Sequence, residues 1–308
     1  MQTRKLVLAS ALSSLLALST ASVWAESPNG SRALRLWEQL ETTKLDLRSK
    51  AALVVDRFGN TLYEREANRA MPIASVTKLM TAMVILDAKL PGDEMIEITD
   101  ADRDMRKMTG SRLRVGSRLT RHQLLTLALM SSENRAAAAL GRTYPGGLGA
   151  FIKAMNAKAT ELGMSQSQFV DPAGLDAGNM ASAQDLAQMV FAAMQYEGIR
   201  QATTRPEMYV SPQQGRGSLR YLNTNRLLRS GKWDIQITKT GYINEAGRCL
   251  VMHTEFNGTP TVLVLLNSFG KLTPFGDANR VRKWIEKGVD RSIHKSANST
   301  PHGDAANS

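Results

Sequence analysis

Strand-patterned segments stand at both ends of this 308-residue chain, and a long block of helical periodicity separates them. "AALVVDRFGNTLYERE" (51–66) is two runs flanking "RFGN", whose Gly59 and Asn60 suit a hairpin turn. From about residue 74 to 205 apolar residues recur at helical spacing. Thr120 is placed to cap "TRHQLLTLALMSS", Gly163 to close "AFIKAMNAKATELGM", and Ser182 to cap "SAQDLAQMVFAAMQY". After about residue 207 strands return. "WDIQITKTG" alternates Ile235 and Ile237, and "CLVMHTEFNGTPTVLVLLNSF" is two apolar strands about Asn257-Gly258. "DANRVRKWIEKG" is a last amphipathic helix. Strands at the two ends most simply pair in one antiparallel sheet. The expected fold is α+β: that sheet, covered by helices, with a mainly helical subdomain inserted between its halves.

The extremities carry other signals. Residues 1–25 join a basic start, an apolar run with serines, and Val23 and Ala25 about a cleavage point, which is the pattern of a secretory signal peptide. No later stretch is long and apolar enough to span a bilayer, so no transmembrane anchor is expected. Residues 26–48 form a leader, either mobile or one short helix with Leu36, Trp37 and Leu40 inward. Residues 49–288 make the folded domain, and the polar tail 289–308 is expected to be disordered. The single cysteine, Cys249, excludes an intramolecular disulfide and reads as a buried strand residue. Net charge is +11, and 37 basic against 28 acidic residues remain once Arg4 and Lys5 leave with the signal. That excess favours an anionic exterior such as cell-wall carboxylates or acidic lipid. Nucleic acid is not an expected partner, since the chain is exported and has no nucleic-acid motif. His122, His253, His294 and His302 lack ligand spacing, so neither a metal nor a cofactor is expected.

One residue breaks the apolar pattern of "PIASVTKLMTAMVILDA" (72–88): Lys78, three residues after Ser75. A helix apolar nearly all round is a buried one. Residues three apart on it are neighbours, so the Lys78 amine lies beside the Ser75 hydroxyl. Ser75 falls in the first turn, where free N–H groups favour developing negative charge. Burial lowers a lysine's proton affinity, and a neutral amine can then take the proton of a serine nucleophile. Ser-x-x-Lys also occurs at 268–271 and 292–295, so the spacing alone proves nothing; only Ser75 has the helical context. Two more elements join it. "LALMSSENRAAAA" holds Ser132-Glu133-Asn134 in a polar loop between apolar helices, and "QITKTGYI" carries the chain's one Lys-Thr-Gly, residues 239–241, on a strand. Gly241, without a side chain, suits a ligand lying against that strand.

Ser-x-x-Lys, Ser-x-Asn and Lys-Thr-Gly in this order resemble the penicillin-binding protein and serine β-lactamase superfamily over roughly residues 50 to 288. "PIASVTKLMTAMV", "LALMSSENRAAA", "YPGGLGAFIKAMNAKATELGM" and "TKTG…AGRCLVM" are similar to its D-alanyl-D-alanine endopeptidase subgroup, the penicillin-binding protein 7 type. The resemblance implies a penicillin-binding, transpeptidase-like fold and the following roles. Ser75 attacks the carbonyl after D-alanine and Lys78 is its base. Ser132 relays a proton to the leaving amine, and Asn134 orients Lys78 and the substrate amide. Lys239 and Thr240 bind a substrate carboxylate, and the backbone N–H groups of Ser75 and Tyr242 form an oxyanion hole. The implied partners are peptidoglycan stem peptides, β-lactams as covalent inhibitors, and other cell-wall enzymes; the implied compartment is the periplasm.

Class A β-lactamases use a glutamate in a Glu-x-x-Leu-Asn loop for deacylation. The nearest text here, "VDPAGLDAGN", departs from it at Asp171 and favours a peptidase. Carboxypeptidase relatives carry a further β-rich domain and more usually have Gly between the Ser and Asn. Only residues 242–308 follow Gly241, and Glu133 stands in the middle, so the endopeptidase is favoured. A D-Ala-D-Ala carboxypeptidase is the alternative, and a β-lactam-binding sensor without turnover the second.

Overall fold

The computed structural model describes Leu40 and residues 44–212, 217–256 and 258–298, with side chains as far as Gly288. Residues 1–39, 41–43 and 299–308, which include the segment read as a signal and most of the leader, lie outside the described residues.

The two ends of the chain do join in one sheet. Its strands are β1 (Ser49–Asp56), β2 (Thr61–Arg65), β3 (Asp234–Ile243), β4 (Gly247–Phe256) and β5 (Thr259–Ser268), in the order β2-β1-β5-β4-β3. All neighbours are antiparallel; Val264 of β5 stands between Leu53 of β1 and Val251 of β4. Phe256 pairs with Thr259, so the β4–β5 hairpin closes over positions 257 and 258, as expected. β3 lies at one edge.

Why are the strands continuous apolar runs rather than alternating ones? Both faces of the sheet are covered. Leu53, Val55, Ile237, Val251 and Val264 face a large core shared with the helical block. Ala52, Val54, Leu250, Leu263 and Leu265 face a second core with Leu45, Leu47, Val281, Trp284 and Ile285. Leu45 and Leu47 therefore belong to the folded body, within the stretch read from sequence as leader.

Between β2 and β3 lie α1 (Lys78–Asp87), α2 (Arg121–Met130), α3 (Asn134–Arg142), α4 (Gly147–Glu161), α5 (Ala183–Ala193) and α6 (Glu197–Thr204). The expected punctuation is present. Thr120 caps α2 in a reciprocal box with Gln123, Ser182 caps α5 through the Asp185 N–H, and Gly163 follows α4 at φ +71°. α1 is buried from Lys78 to Ile85 on every side. Three pairs of short strands, Met71–Pro72 with Met180–Ala181, Met95–Glu97 with Arg118–Thr120, and Glu207–Val210 with Leu219–Leu222, stitch the block together.

The last helix, α7 (Thr273–Asn298), departs from expectation. It runs past Val289, where the sequence reading places the start of a disordered tail. Neither Gly nor Pro occurs between Val289 and Asn298, so nothing in the sequence ends the helix until Pro301 and Gly303.

Candidate active site

Ser75 and Lys78 are set by a sharp bend before α1. Met71–Pro72 is extended and paired, and the Ile73 N–H donates to the Asn179 carbonyl at 3.1 Å. The chain then enters a 3-10 turn, Ala74–Thr77, with Ala74 at φ +48°. Ser75 thus sits in a 3-10 turn that runs into α1, one turn earlier than the α-helical position read from sequence. A non-glycine residue in the left-handed region is uncommon and needs surrounding contacts to hold it.

Lys78 has no exposed surface. Its Nζ lies 2.8 Å from Ser75 Oγ, 2.8 Å from Asn134 Oδ1 and 2.6 Å from the Ala173 carbonyl. Burial pushes its pKa down to about 7, against the opposing pull of Asp171 and Glu133. A neutral amine has two N–H bonds, and the two carbonyl oxygens accept both. The lone pair is left for the Ser75 hydroxyl.

The Ala173 carbonyl was not legible in the sequence. It comes from a loop that Asp171 folds around its own carboxylate. Oδ1 accepts from Ala173 N (2.6 Å) and Gly174 N (2.7 Å), and Oδ2 from Asp176 N (2.7 Å) and Asn179 Nδ2 (2.6 Å). Asp171 is thereby occupied in shaping the loop. Gly174, at φ +75°, passes so close that an added Cβ would stand 1.9 Å from the Ala74 carbonyl oxygen.

Ser132 lies in the tight link between α2 and α3, at φ +60°. Glu133 caps α3 through the Arg135 N–H and accepts from Ser111 Oγ at 2.7 Å. Asn134 Nδ2 donates to Thr109 Oγ1 at 3.0 Å, which fixes its carbonyl toward Lys78. Across the cleft, Lys239 on β3 is also buried; its Nζ donates to Ser132 Oγ (3.0 Å) and to the Thr240 carbonyl (2.8 Å). Burial and the nearby Lys78 hold Lys239 well below the usual lysine range. Thr240 Oγ1 is 2.7 Å from Thr224 Oγ1, a partner that no motif announced.

Gly241 has a packing role that the sequence reading did not include. An added Cβ would lie 2.9 Å from the Ile73 carbonyl and 3.0 Å from the Ser75 nitrogen. The missing side chain makes room for the nucleophile's own turn. Tyr242 follows on the edge strand, its half-exposed ring under the Arg248 guanidinium at 3.8 Å. The structure therefore gathers Ser75, Lys78, Ser132, Asn134, Lys239, Thr240 and Gly241 around one cleft. Of the competing Ser-x-x-Lys pairs, Ser268 is buried against Ser49 Oγ at 2.8 Å, and the side chains of 292–295 lie outside the described residues. Cys249 is buried, and burial pushes its thiol up to about 11, which leaves it inert.

Known proteins resemble this chain over most of its length. Residues 38–270 match the family described as D-alanyl-D-alanine carboxypeptidase. The D-alanyl-D-alanine endopeptidase of Pseudomonas aeruginosa is 46% identical over 283 residues, covering 92% of this chain and 89% of that one. The D-alanyl-D-alanine endopeptidase of Escherichia coli is 47% identical over 244 residues, 79% of each chain. Among solved structures, the Streptomyces K15 DD-transpeptidase superposes with a TM-score of 0.73 at 26% identity, over 79% of this chain and 98% of that one. Penicillin-binding protein D2 of Listeria monocytogenes, solved in its cefotaxime-bound form, gives 0.70 at 28% identity over 79% and 99%. The sheet-and-helix fold read from the chain's two ends is the fold of these proteins, and a match over most of its length settles descent: the chain belongs to the D-alanyl-D-alanine carboxypeptidase family of serine peptidases.

Proposed function

We propose that this chain is a serine DD-endopeptidase that cleaves D-alanyl–meso-diaminopimelyl cross-links of peptidoglycan through an acyl-enzyme on Ser75. The observation that carries the reading is the setting of Lys78. Two carbonyl acceptors hold a buried amine whose pKa falls near 7, and its third neighbour is the Ser75 hydroxyl at 2.8 Å. The export signal read over residues 1–25 puts the enzyme in the periplasm.

In the proposed steps each residue takes the role that the resemblance implies. Lys78 Nζ takes the hydroxyl proton as Ser75 Oγ attacks the D-alanyl carbonyl carbon. The backbone N–H groups of Ser75 and Tyr242 receive the developing oxyanion. Ser132 passes the proton from Lys78 to the leaving nitrogen, and the C–N bond breaks. Water then hydrolyses the ester and restores Ser75. Lys239 and Thr240 hold the carboxylate beside the scissile amide. An arriving carboxylate offsets the burial and the like charge that depress Lys239, and so favours its charged form. A β-lactam carries the same carboxylate beside a strained amide and acylates Ser75 without a departing stem. Replacing Lys239 with alanine is expected to slow β-lactam acylation roughly 10–100-fold, the size of one charge-assisted hydrogen bond; an unchanged rate would remove Lys239 from the carboxylate site.

Mass spectrometry of products tests the substrate. Purified protein incubated with a cross-linked muropeptide dimer is expected to yield monomers while leaving a pentapeptide monomer largely intact. Loss of terminal D-alanine from the pentapeptide with an intact dimer would make the enzyme a carboxypeptidase instead.

A further inference from the structure

Two cavities border the segments that carry Ser132, Asn134 and Ala173. One, about 210 Å³, lies on the side of Asn134, Asp171 and Ala173. The other, about 560 Å³, is lined by Ser111, Arg112, Ser131, Glu133, Arg220 and Tyr221. The larger one falls in the range of ligand pockets, roughly 300–1,000 Å³. It borders the loop that carries Ser132, between Ser131 and Glu133. Its far wall, the strand Leu219–Leu222, leads directly to Thr224, the hydroxyl partner of Thr240. The large cavity is thus bounded by residues next in the chain to Ser132 and by the strand that precedes Thr224.

Its chemistry is cationic and partly unsatisfied. Arg112 Nη1 donates to the Arg220 carbonyl at 2.6 Å, and the guanidinium lies 3.9 Å over the Tyr221 ring. Those contacts fix its direction, yet Arg112 has no carboxylate partner among the described residues; Arg220 is paired with Glu207. The Glu133 carboxylate is engaged by Ser111 Oγ and the Arg135 N–H. Tyr221 is 2% exposed, and its hydroxyl has no hydrogen-bond partner among the described residues.

A carboxypeptidase releases one D-alanine and has no use for such a cavity. An endopeptidase releases a whole stem peptide, which bears carboxylates beyond the one next to the scissile amide. We propose that this cavity receives the departing stem, with Arg112 binding one of its further carboxylates. The inference rests on the endopeptidase reading and extends it to the residues that select a cross-linked substrate.

Arg112→Gln tests it on two substrates. Cleavage of the muropeptide dimer is expected to lose about tenfold or more in kcat/KM, the size of a lost charged hydrogen bond, with Arg112→Lys recovering part of it. Acylation by a fluorescent penicillin, which has no departing stem, is expected to stay at the wild-type rate. An unchanged dimer rate, or an equal loss on both substrates, would overturn the proposal and leave the endopeptidase reading standing. A wild-type protein that acylates with penicillin but leaves the dimer whole would sink that reading and the proposal with it.

Discussion

Ser75→Ala is expected to abolish both covalent labelling by a β-lactam and cleavage of the muropeptide dimer, with the fold intact. Loss of a serine nucleophile costs on the order of 10⁶ in kcat in a serine protease. The hydroxyl has little structural duty: besides Lys78 it has one long contact, 3.4 Å to the Ala173 carbonyl. Alanine leaves the 3-10 turn and α1 unchanged, so the melting temperature should hold. Intact-mass analysis after incubation with penicillin checks the first half and product analysis the second. A labelled variant would mean that another serine is the nucleophile.

Gly174→Ala is the second large effect, and it acts through backbone alone. At φ +75° an L side chain is strained, and its Cβ would meet the Ala74 carbonyl oxygen at 1.9 Å and the Ala74 carbonyl carbon at 2.4 Å. Left-handed strain and overpacking together suggest a cost of about 2–5 kcal/mol. Relief must move either the Ala74 bend that sets Ser75 or the loop that brings the Ala173 carbonyl to Lys78. A displacement of about 1 Å can cost on the order of 100-fold in rate. The expected result is a melting temperature several degrees lower, with acylation about 100-fold slower in the folded fraction. Gly149 provides the control, since nothing lies within 4 Å of an added Cβ there and the position is helical. Gly149→Ala should leave acylation unchanged and stabilise by about 0.4–1 kcal/mol. A Gly174 variant that behaves like the Gly149 one would show that the contact between loop and bend does not position the site.

Much of the site was legible because its groups are side chains with rare contexts. Lys78 was conspicuous in an apolar helix, and Lys239-Thr240-Gly241 occurs once on a strand. The large fold was legible for a related reason: long apolar strands at both ends leave few other ways to be buried. What escaped notice is mostly backbone. The Ala173 carbonyl, separated from Lys78 by 95 positions, carries no side-chain signature. Asp171, noted in the sequence only as a departure from the lactamase pattern, organises that loop. The close approach of the 73–75 bend to Gly241 was not legible, because a sequence cannot say which backbone passes over a glycine. The paired segments at 71–72 and 180–181 are too short to show any period, although they anchor the bend. The continuation of α7 was missed because a polar composition was weighed above the absence of Gly and Pro.

The pH dependence of acylation tests most directly whether a neutral Lys78 is the base. A base must be unprotonated to act, so below its pKa the rate should fall about tenfold for each pH unit. With Lys78 lowered to about 7, second-order acylation by a β-lactam should rise through pH 6 to 7 and level off above pH 8. A rate flat from pH 5 to 9, or one that rises only toward the ordinary lysine range near 10.4, would contradict the account.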